Sequence, residues 1–355
     1  MSEKKVIFLT TSNRNNELGG QELFIRKLIN ILSSHNISYK VITPYSIGVE
    51  NEIYISHKKT DFFKTTDIVK KEIKCEGSII LHSNDCYSNL IAYSATANNP
   101  KNLVISTIIH DVYVSENMAL PLKLKKKIYL LIDKIVLKKF NYIIFYSNFL
   151  YENSGFKKSL LLPPGIETSD VAIKTKPSKK IKKIGWIGRP DIQKKGLDLF
   201  FHIINILNSL EKNYEYHIAG LNDKNILQKY YQGSRENIKW YGYINDKNLF
   251  WDSIDAIIVC SRYEGLGLVF LECVSRGIPV FATDIPSFKE IARSLDYPIQ
   301  LFTPDKNGVF KICESLNNFD LSIFDAEKYA KKNAESYSFE QLEKKYLNFI
   351  QNVIY

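Results

Sequence analysis

The 355-residue sequence lacks the features that would mark a membrane-spanning or disulfide-framed protein. Its five cysteines are widely spaced and form no C-x-x-C pair, which argues against a zinc site and favours a reducing compartment. No stretch approaches the ~18 apolar residues of a membrane span. Only four consecutive apolar residues follow the first lysines, too few for a signal peptide. We therefore expect a cytoplasmic protein, with attachment to the inner face of the cytoplasmic membrane left open.

Arginine is also scarce, although the formal net charge is +10. Seven of the 48 basic residues are Arg, whereas nucleic-acid readers rely on Arg for bidentate contacts. The charge is concentrated in two segments: residues 123–139 hold seven Lys and one Asp, and residues 171–183 hold six Lys and no acid. Residues 184–355 hold 20 basic and 22 acidic residues. The sequence also lacks the alternation of aromatic and basic residues that known nucleic-acid-binding modules have. It therefore predicts no nucleic-acid partner.

Short apolar runs alternate with stretches of helical periodicity along the whole chain. Strands are predicted at 6–9, 39–42, 78–81, 103–109, 142–146, 160–162, 181–187, 216–219, 238–241, 256–260 and 279–282. Helices are predicted at 22–32, 62–73, 89–97, 123–139, 197–210, 268–276 and 338–354. Strands separated by helices imply parallel sheets covered on both faces. We therefore expect an α/β protein with two doubly wound, Rossmann-like parallel-sheet domains.

The polar, lysine-rich stretch near the middle of the chain reads as a linker between these domains. It gives an N-terminal Rossmann-like domain over 1–170, a linker over 171–183 and a second Rossmann-like domain over 184–337. The last helix, 338–355, is expected to cross back to the N-terminal domain. Ligands of open α/β sheets bind beyond the carboxyl ends of the strands, so the chemistry is sought there.

Two glycine-containing loops follow predicted strands. Gly19-Gly20 lies between the first strand and its helix, where backbone N–H groups could approach a phosphate or a sugar. A flexible surface turn remains an equal alternative, and the loop is not the dinucleotide pattern G-x-G-x-x-G. Gly188-Arg189 is followed by Lys195-Gly196, and a guanidinium beside an ammonium suits a diphosphate. The alternative is a pair of solvated cations beside a turn.

The most informative segment begins at the end of the predicted strand 256–260 and enters a helix. Glu264 stands at the turn, and Glu272 comes eight residues later among apolar residues. Carboxylates accept hydrogen bonds from vicinal hydroxyls of a sugar or ribose. A glutamate inside an apolar run needs a partner, because burial of an unpaired charge costs free energy. A solvent-facing helix glutamate is the less favoured alternative.

These residues together resemble the retaining glycosyltransferases of family 4, which have the GT-B fold and an E-x7-E signature. The resemblance spans nearly the whole chain and keeps its order, through Gly19-Gly20, His110-Asp111, Pro164-Gly165-Ile166-Glu167, Gly188-Arg189, Lys195-Gly196, Gly220, Gly242, Glu264 and Glu272. It departs at Pro164, at Cys273-Val274-Ser275-Arg276 and at Ile285-Pro286-Ser287-Phe288, where the family has other residues. The resemblance implies the GT-B arrangement, two domains facing across a cleft, with 1–170 as the acceptor domain and 184–337 as the nucleotide-sugar donor domain.

The resemblance also implies roles for single residues. Arg189 and Lys195 would bind the donor diphosphate, Glu264 the hydroxyls of the donor sugar and Glu272 the ribose hydroxyls. His110 would lie against the sugar near the anomeric carbon, and Gly19-Gly20 would close on the phosphate and acceptor. The remaining donor-binding positions are Gly188, Gly265, Leu266, Gly267 and Leu268. His82, at another strand end, is left open between a core and a site residue.

The implied function is retaining transfer from a UDP- or GDP-sugar to a glycan or polyprenyl-linked acceptor, in the synthesis of a bacterial surface polysaccharide such as O-antigen, lipopolysaccharide or capsule. No Asp-x-Asp pair of metal-site character is present, so neither a metal nor another cofactor is expected. Another GT-B enzyme, such as an epimerase or a phosphorylase, is one alternative. A non-catalytic GT-B subunit that stabilises a partner transferase is another.

The lysine-rich segment 123–139 is predicted to be an amphipathic helix. Lys123, Lys126, Lys127, Lys134 and Lys138 share one face, and Leu124, Ile128, Leu131, Ile132, Ile135 and Val136 lie opposite. Two interpretations are equally favoured. Either the apolar face packs in the core and the lysines are solvated, or the lysine face docks on anionic lipid with Leu130 and Leu137 entering the bilayer.

Overall fold

The computed structural model describes most of the chain. The described residues are 4–11, 20–74, 77–97, 103–112, 115, 118–156, 159–168, 173, 179–189, 191–210, 213–220, 229–231, 235–244 and 246–354. Most of the loop that follows the first strand therefore lies outside the description, and with it Gly19 of the predicted glycine pair.

The amino-terminal half builds a seven-stranded sheet in which every described strand pair is parallel. Its strands are β1 (Lys4–Leu9), β2 (Ser38–Thr43), β3 (Glu52–Tyr54), β4 (Ser78–Ser83), β5 (Leu103–Ile109), β6 (Tyr142–Phe145) and β7 (Ser159–Leu161). The order is β3-β2-β1-β4-β5-β6-β7. The central strands are apolar along most of their length and buried on both faces, as parallel sheets with helices on both sides require.

Helices connect these strands, as parallel pairing demands. They are α1 (Gly20–Ser34), α2 (Phe62–Ile73), α3 (Cys86–Ala95), α4 (Leu120–Val136) and α5 (Asn148–Ser154). The predicted helix at 89–97 in fact begins three residues earlier, because Asp85 and Ser88 form a reciprocal capping box. The Asp85 carboxylate accepts from the Ser88 backbone N–H at 2.9 Å, and the Ser88 hydroxyl accepts from that of Asp85 at 3.0 Å.

The carboxy-terminal half repeats the plan with six parallel strands. They are β8 (Lys183–Ile187), β9 (Glu215–Ala219), β10 (Ile238–Gly242), β11 (Ala256–Val259), β12 (Val280–Thr283) and β13 (Gln300–Phe302), in the order β10-β9-β8-β11-β12-β13. The described helices are α6 (Ile192–Lys195), α7 (Leu197–Ser209), α8 (Asn248–Ser253), α9 (Leu268–Ser275), α10 (Pro286–Leu295), α11 (Lys306–Asn318), α12 (Ala326–Tyr337) and α13 (Phe339–Ile354). The predicted α/β class with two Rossmann-like sheets is thus confirmed.

Contacts between Cα atoms divide the chain into two units. The first comprises residues 1–114, 120–164 and 340–355, and the second comprises residues 115–119 and 165–339. Helix α13 belongs to the first unit, where the Tyr346 hydroxyl lies 3.0 Å from His82 Nε2 and the Phe349 ring meets Tyr142 edge-on. The last helix of the chain therefore completes the core of the first sheet.

In each sheet the strand order reverses once, beside the first strand of that half. Connections leave β1 and β4 toward opposite edges of the first sheet, and the same holds for β8 and β11 in the second. Such a switch point opens a crevice beyond the carboxyl ends of the two strands, where α/β proteins bind their ligands. The fold therefore marks two places to examine, one in each unit.

Candidate active site

Lys195 and Glu264 meet at the switch point of the second unit. The Lys195 ammonium donates to Glu264 Oε1, and the ammonium of Lys194 lies 3.9 Å from Oε2 of the same carboxylate. The Ser261 hydroxyl donates to Glu264 Oε1 at 2.8 Å. Only 11% of the Glu264 side chain is exposed, and these partners compensate the cost of burying its charge. Two of the predicted catalytic residues are thus in direct contact.

The loop that carries Lys195 is held against the end of β11. Asp191 caps the short helix α6, and Gly196 ends it in the left-handed conformation at φ +62°. A Cβ atom at Gly196 would lie 2.1 Å from the carbonyl oxygen of Cys260, so no other residue fits this position without a backbone shift. The backbone N–H of Arg262 donates to the Lys194 carbonyl at 2.8 Å. The two loops that present Lys195 and Glu264 are therefore fixed to each other through their backbones.

Arg189 directly follows Gly188 at the carboxyl end of β8, in a row of strand-end glycines. The Gly188 N–H donates to the Ala219 carbonyl, and the Gly220 N–H donates to the Gly242 carbonyl at 2.6 Å. Gly220 has φ +90°, and a Cβ there would lie 2.3 Å from the Gly188 carbonyl oxygen. Backbone thus approaches backbone closely at the edge where Arg189 emerges, and the Arg189 side chain is half-buried.

Glu272 lies one turn inside α9 and forms an ion pair that the sequence does not predict. Lys247 Nζ donates to both of its carboxylate oxygens, at 2.8 and 3.0 Å. The Glu272 side chain is 22% exposed, so it is neither a core residue nor a freely solvated one. Lys247 precedes α8, 25 residues away along the chain, and carries no spacing signal that links it to Glu272. The strand order alone brings the two together.

The turn between the two glutamates is shaped by Gly267. This residue has φ +106° and precedes α9, and a Cβ on it would lie 2.5 Å from the Phe288 ring. Leu266 is buried beneath the turn, and Leu268 is the first residue of the helix. Gly265 occupies the same turn, directly after Glu264. The predicted donor-binding residues Gly265, Leu266, Gly267 and Leu268 therefore form one tight connection into the helix.

A second pair that the sequence does not predict stabilises the same loop. The Arg262 guanidinium donates to both oxygens of Asp198, at 3.0 and 2.7 Å, and also to the Ile192 carbonyl at 2.9 Å. Hydrogen bonding to Asp198 raises the pKa of Arg262 above its ordinary value. Arg262 is thus a structural cation that ties the Glu264 loop to α6 and α7. In the sequence, the one indication of this role is that Arg262 stands two residues before Glu264.

The first unit contains a cavity of about 470 Å³ at its own switch point, and both polar and apolar residues line it. His110, predicted as a site residue, lines it at the end of β5, together with Thr11, Gln21, Asp85, Asp111 and Lys126. Gly20 begins α1 one residue before the buried Gln21, whose amide donates to the Asn84 carbonyl at 3.3 Å. The structure therefore brings His110 and the start of α1 to one cavity, while Gly19 is outside the described residues.

The cavity wall is ordered by buried hydrogen bonds. Asp85 accepts from the backbone and the hydroxyl of Thr11, at 3.1 and 2.7 Å. The Asn89 amide donates to Asp133 of α4 at 2.9 Å and accepts from the Ser83 and Thr107 hydroxyls. Burial, with a contribution from Asp133, raises the pKa of the Cys86 thiol to about 12. This thiol is protonated at neutral pH and is a poor nucleophile.

His82, the other histidine at a strand end, is a core residue. It is 1% exposed, and its ring contacts the Ser106 hydroxyl on one side and the Tyr346 hydroxyl on the other. Burial lowers its pKa to about 3, so the ring is neutral near pH 7. Of the two roles that the sequence leaves open for His82, a core residue or a site residue, the structure supports the core residue.

Metal ligation and membrane spanning each require a recognisable arrangement of residues. Within the described ranges, no three His, Cys, Asp or Glu side chains are grouped as metal ligands would be. None of the helices described above has both the length and the apolar composition needed to cross a membrane.

Comparison with known proteins gives matches in sequence over part or most of the chain. Residues 181–311 match the family described as Glycosyl transferases group 1. An uncharacterized 41.2 kDa protein in the cps region of Klebsiella pneumoniae is 23% identical over 321 residues, which are 82% of this chain and 86% of that protein. The Escherichia coli O-antigen biosynthesis glycosyltransferase WclY is 27% identical over 144 residues, which are 40% of this chain and 35% of that protein.

Solved structures resemble this one over nearly its full length. Sucrose-phosphate synthase from Thermosynechococcus elongatus has 15% sequence identity and a TM-score of 0.79, with 99% of both chains covered. The pneumococcal O-GlcNAc transferase GtfA, in complex with UDP and GlcNAc, has 10% identity and a TM-score of 0.74, again with 99% of both chains covered. The chain therefore has the GT-B fold, and its second unit is similar to glycosyl transferases group 1.

Proposed function

We propose that this protein is a glycosyltransferase that moves a sugar from a nucleotide-diphosphate sugar to a glycan or lipid-linked acceptor. The observation that carries the proposal is the contact between Lys195 and Glu264. It lies at a switch point, where α/β proteins bind ligands. It also lies inside the segment that matches glycosyl transferases group 1. A cation for a diphosphate and a carboxylate for sugar hydroxyls are the two groups that this reaction needs.

The contact also suggests how the donor binds. A diphosphate at this edge attracts the Lys195 ammonium, and the Arg189 guanidinium adds a second cation, because charge-assisted contacts to phosphate are strong. As Lys195 turns to the phosphate, the Glu264 oxygens become available to sugar hydroxyls, while the Ser261 hydroxyl keeps the carboxylate oriented. Glu264 and Lys195 would thus exchange their mutual contact for contacts with the donor.

The second ion pair suits the ribose of the same donor. Lys247 holds both Glu272 oxygens, which fixes the plane of the carboxylate. Each carboxylate oxygen can accept more than one hydrogen bond, so Glu272 can still accept from the vicinal hydroxyls of a ribose. We therefore propose that Glu272 binds the ribose and that Lys247 orients the Glu272 carboxylate. The nucleotide is UDP or GDP.

For the reaction course we propose retention of the anomeric configuration and membership of family 4, with the Glu264-to-Glu272 segment as its signature. The leaving diphosphate is stabilised by Arg189 and Lys195, and it takes the proton of the attacking acceptor hydroxyl. His110 lines the cavity of the first unit, where we place the acceptor. We assign no metal and no cofactor, because two cations already offset the charge of the leaving group.

The relatives support a biological setting. One is encoded in a cps region, and another carries an O-antigen biosynthesis name. We therefore propose that the product is part of a bacterial surface polysaccharide, of the O-antigen or capsule kind. We also propose that the reaction takes place on the cytoplasmic side of the membrane, where nucleotide sugars would be at hand.

The test is release of UDP or GDP from a panel of nucleotide sugars, measured with the wild-type protein and with Lys195→Ala. We expect Lys195→Ala to lower kcat by about 100-fold or more, because it removes a cation from the leaving group. Lys332→Ala is the matched control, since Lys332 also pairs with a carboxylate, that of Asp296 at 3.2 Å, but lies in α12, which carries none of the site residues. It should keep wild-type turnover.

Three outcomes would contradict the proposal. Equal turnover of Lys195→Ala and the wild type would remove Lys195 from the reaction. Absence of nucleotide release with every donor and a bacterial lipid extract would favour a non-catalytic subunit, and conversion of the donor without transfer would favour an epimerase. NMR of the product distinguishes retention from inversion at the anomeric carbon.

A further inference from the structure

Helix α4 exposes a continuous row of large apolar side chains. Five residues are between 54 and 68% exposed, and successive members are three or four positions apart; we call them the apolar stripe: Leu120, Leu124, Ile128, Leu131 and Ile135. At 100° per residue they fall within about 80° of the helix circumference. Soluble proteins rarely leave such a contiguous row uncovered, so the stripe marks a binding surface.

The exposure of the stripe does not result from a loose attachment of the helix. On the opposite face Asp133 and Val136 are buried, and Asp133 accepts from the Asn89 amide at 2.9 Å. Lys126 donates to the Val112 carbonyl at 3.1 Å and lies 3.6 Å from the Asp111 carboxylate. Tyr129 and Ile132 line the cavity of the first unit. One face of α4 is thus fixed to α3, to the segment Asp111-Val112 and to the cavity wall, while the other faces solvent.

The faces of α4 differ from those that the sequence predicts. The apolar side is largely outside the core, and Leu137, which was expected to enter lipid, is buried at 3% exposure. The helical wheel could group the apolar residues but could not show which face of the helix packs against the rest of the unit. A polar anchor, formed by Asp133 and Lys126, decides the orientation of the helix.

The charge around the stripe has one sign. Lysines border it on both sides, with exposed side chains at Lys125, Lys127, Lys134, Lys138 and Lys139. Within residues 120–140 the one acidic residue is Asp133, which is buried and hydrogen-bonded. The exposed surface of this segment therefore offers apolar and cationic groups but no anionic ones.

We propose that α4 lies in the surface of an anionic lipid bilayer, with the apolar stripe below the headgroups and the lysines among the lipid phosphates. An apolar row about 22 Å long between rows of cations matches the acyl boundary of such a bilayer. A second copy of this chain fits less well, because pairing two stripes would bring lysines of like charge together. The occupant is therefore lipid.

This docking has a consequence that rests on the proposed function. The same helix borders the cavity of the first unit through Lys126, Tyr129 and Asp133. An acceptor whose sugar or phosphate enters the cavity would keep its lipid chain in the bilayer beside the stripe. The acceptor class is therefore an amphiphile, a glycan carried on a membrane lipid.

The experiment is sedimentation of the full chain with vesicles of phosphatidylcholine alone, or of phosphatidylcholine with about one-third phosphatidylglycerol, across a range of NaCl concentrations. The wild type should bind the anionic vesicles, and binding should weaken as salt rises. The double variant I128Q/L131Q should bind at least about tenfold less, because two side chains no longer enter the apolar layer. K127Q/K134Q should also lose about tenfold at low salt.

The matched control is F310Q/I323Q, which removes two exposed apolar side chains, 50 and 82% exposed, from the second unit. It should bind vesicles as the wild type does, and all variants should keep the wild-type thermal shift with UDP or GDP. Equal vesicle binding by I128Q/L131Q and the wild type would overturn the proposal. So would a wild-type dimer that I128Q/L131Q dissociates in size-exclusion chromatography with light scattering. Nucleotide release from a soluble donor, measured without vesicles, tests the proposed function separately.

Discussion

At the scale of single residues, Glu264 and Glu272 of the candidate active site in the second unit have partners that the linear sequence does not reveal. Glu264 stood out because a carboxylate follows a strand end and precedes an apolar helix. Lys195 was also predicted for the site, but its contact with Glu264 is recognisable only once β8 and β11 are neighbours. Lys247 is beyond prediction, since its contact with Glu272 depends on where α8 lies. The sequence thus predicts which residues belong to the site better than which of them form pairs.

His82 gives a prediction at this scale. Its pKa is about 3 in the folded protein and near 6.5 when unfolded, so between these values the unfolded chain binds a proton that the folded chain does not. Stability should therefore fall as the pH decreases through this window. The loss from this group should be on the order of 3 kcal/mol between about pH 6.5 and pH 4.

The measurement is urea unfolding at several pH values for the wild type, His82→Asn and the control His57→Asn, whose side chain is exposed. His82→Asn should be less stable at pH 7 but should lose less stability on acidification. His57→Asn should follow the wild-type pH dependence. A His82→Asn curve parallel to that of the wild type would show that His82 does not carry the effect.

At the scale of elements, the sequence predicts interiors of strands and helices well and their orientation poorly. Buried strands such as β4 and β11 are visible as apolar runs because both faces of a parallel sheet are covered. Of the three-residue strands, β7 was predicted from the sequence and β3 and β13 were not, because so short a strand gives little pattern. Helix α4 shows the deeper difficulty: its amphipathic pattern was found, but its inward face is selected by Asp133 and Lys126 rather than by its leucines.

The connection between α6 and α7, at Gly196, gives a prediction at this scale. Gly196→Ala combines a left-handed backbone with a Cβ 2.1 Å from the Cys260 carbonyl oxygen. Gly48→Ala is the matched control, because Gly48 has φ +75° and no atom within 4 Å of its Cβ position. We expect Gly48→Ala to lower the free energy of unfolding by about 1–2 kcal/mol, and Gly196→Ala by at least about 2 kcal/mol more.

Chemical denaturation gives these free energies, and nucleotide binding gives a second result. Gly196→Ala should also weaken UDP or GDP binding, since the Lys195 loop must shift. Similar losses of stability in the two variants would mean that backbone conformation alone, and not the contact with Cys260, constrains this turn.

At the scale of the whole molecule, the two-sheet plan was predictable because alternating strands and helices leave few topologies open. Net charge was a poorer guide. The value of +10 is concentrated in two lysine-rich segments, and one of them borders the apolar stripe of α4. A distribution of charge along the chain is therefore informative where its sum is not.

The return of α13 to the first unit gives a prediction at this scale. Tyr346 is fully buried there, between His82 and Phe349. Tyr346→Ala should destabilise the first unit by about 3–5 kcal/mol, because it leaves a large cavity. Gln351→Ala, at an exposed position of the same helix, should have little effect.

Hydrogen–deuterium exchange resolves the two units. In Tyr346→Ala the amides of β1, β4 and β5 should exchange faster, while those of β8 and β11 should keep their wild-type rates. Equally faster amide exchange in both sheets would mean that the two units unfold together. Unchanged exchange rates in the first sheet would show that α13 does not stabilise that core.

The place of α13 also sets an order of events during synthesis. The ribosome makes the first sheet early, but the helix that covers it emerges only after the whole second unit. Residues such as His82 must remain without their Tyr346 partner until α13 has been synthesised. The second unit can finish folding before the first, which reverses the usual order from the N-terminus. A truncated product, released before α13, would present an open apolar core to chaperones and proteases.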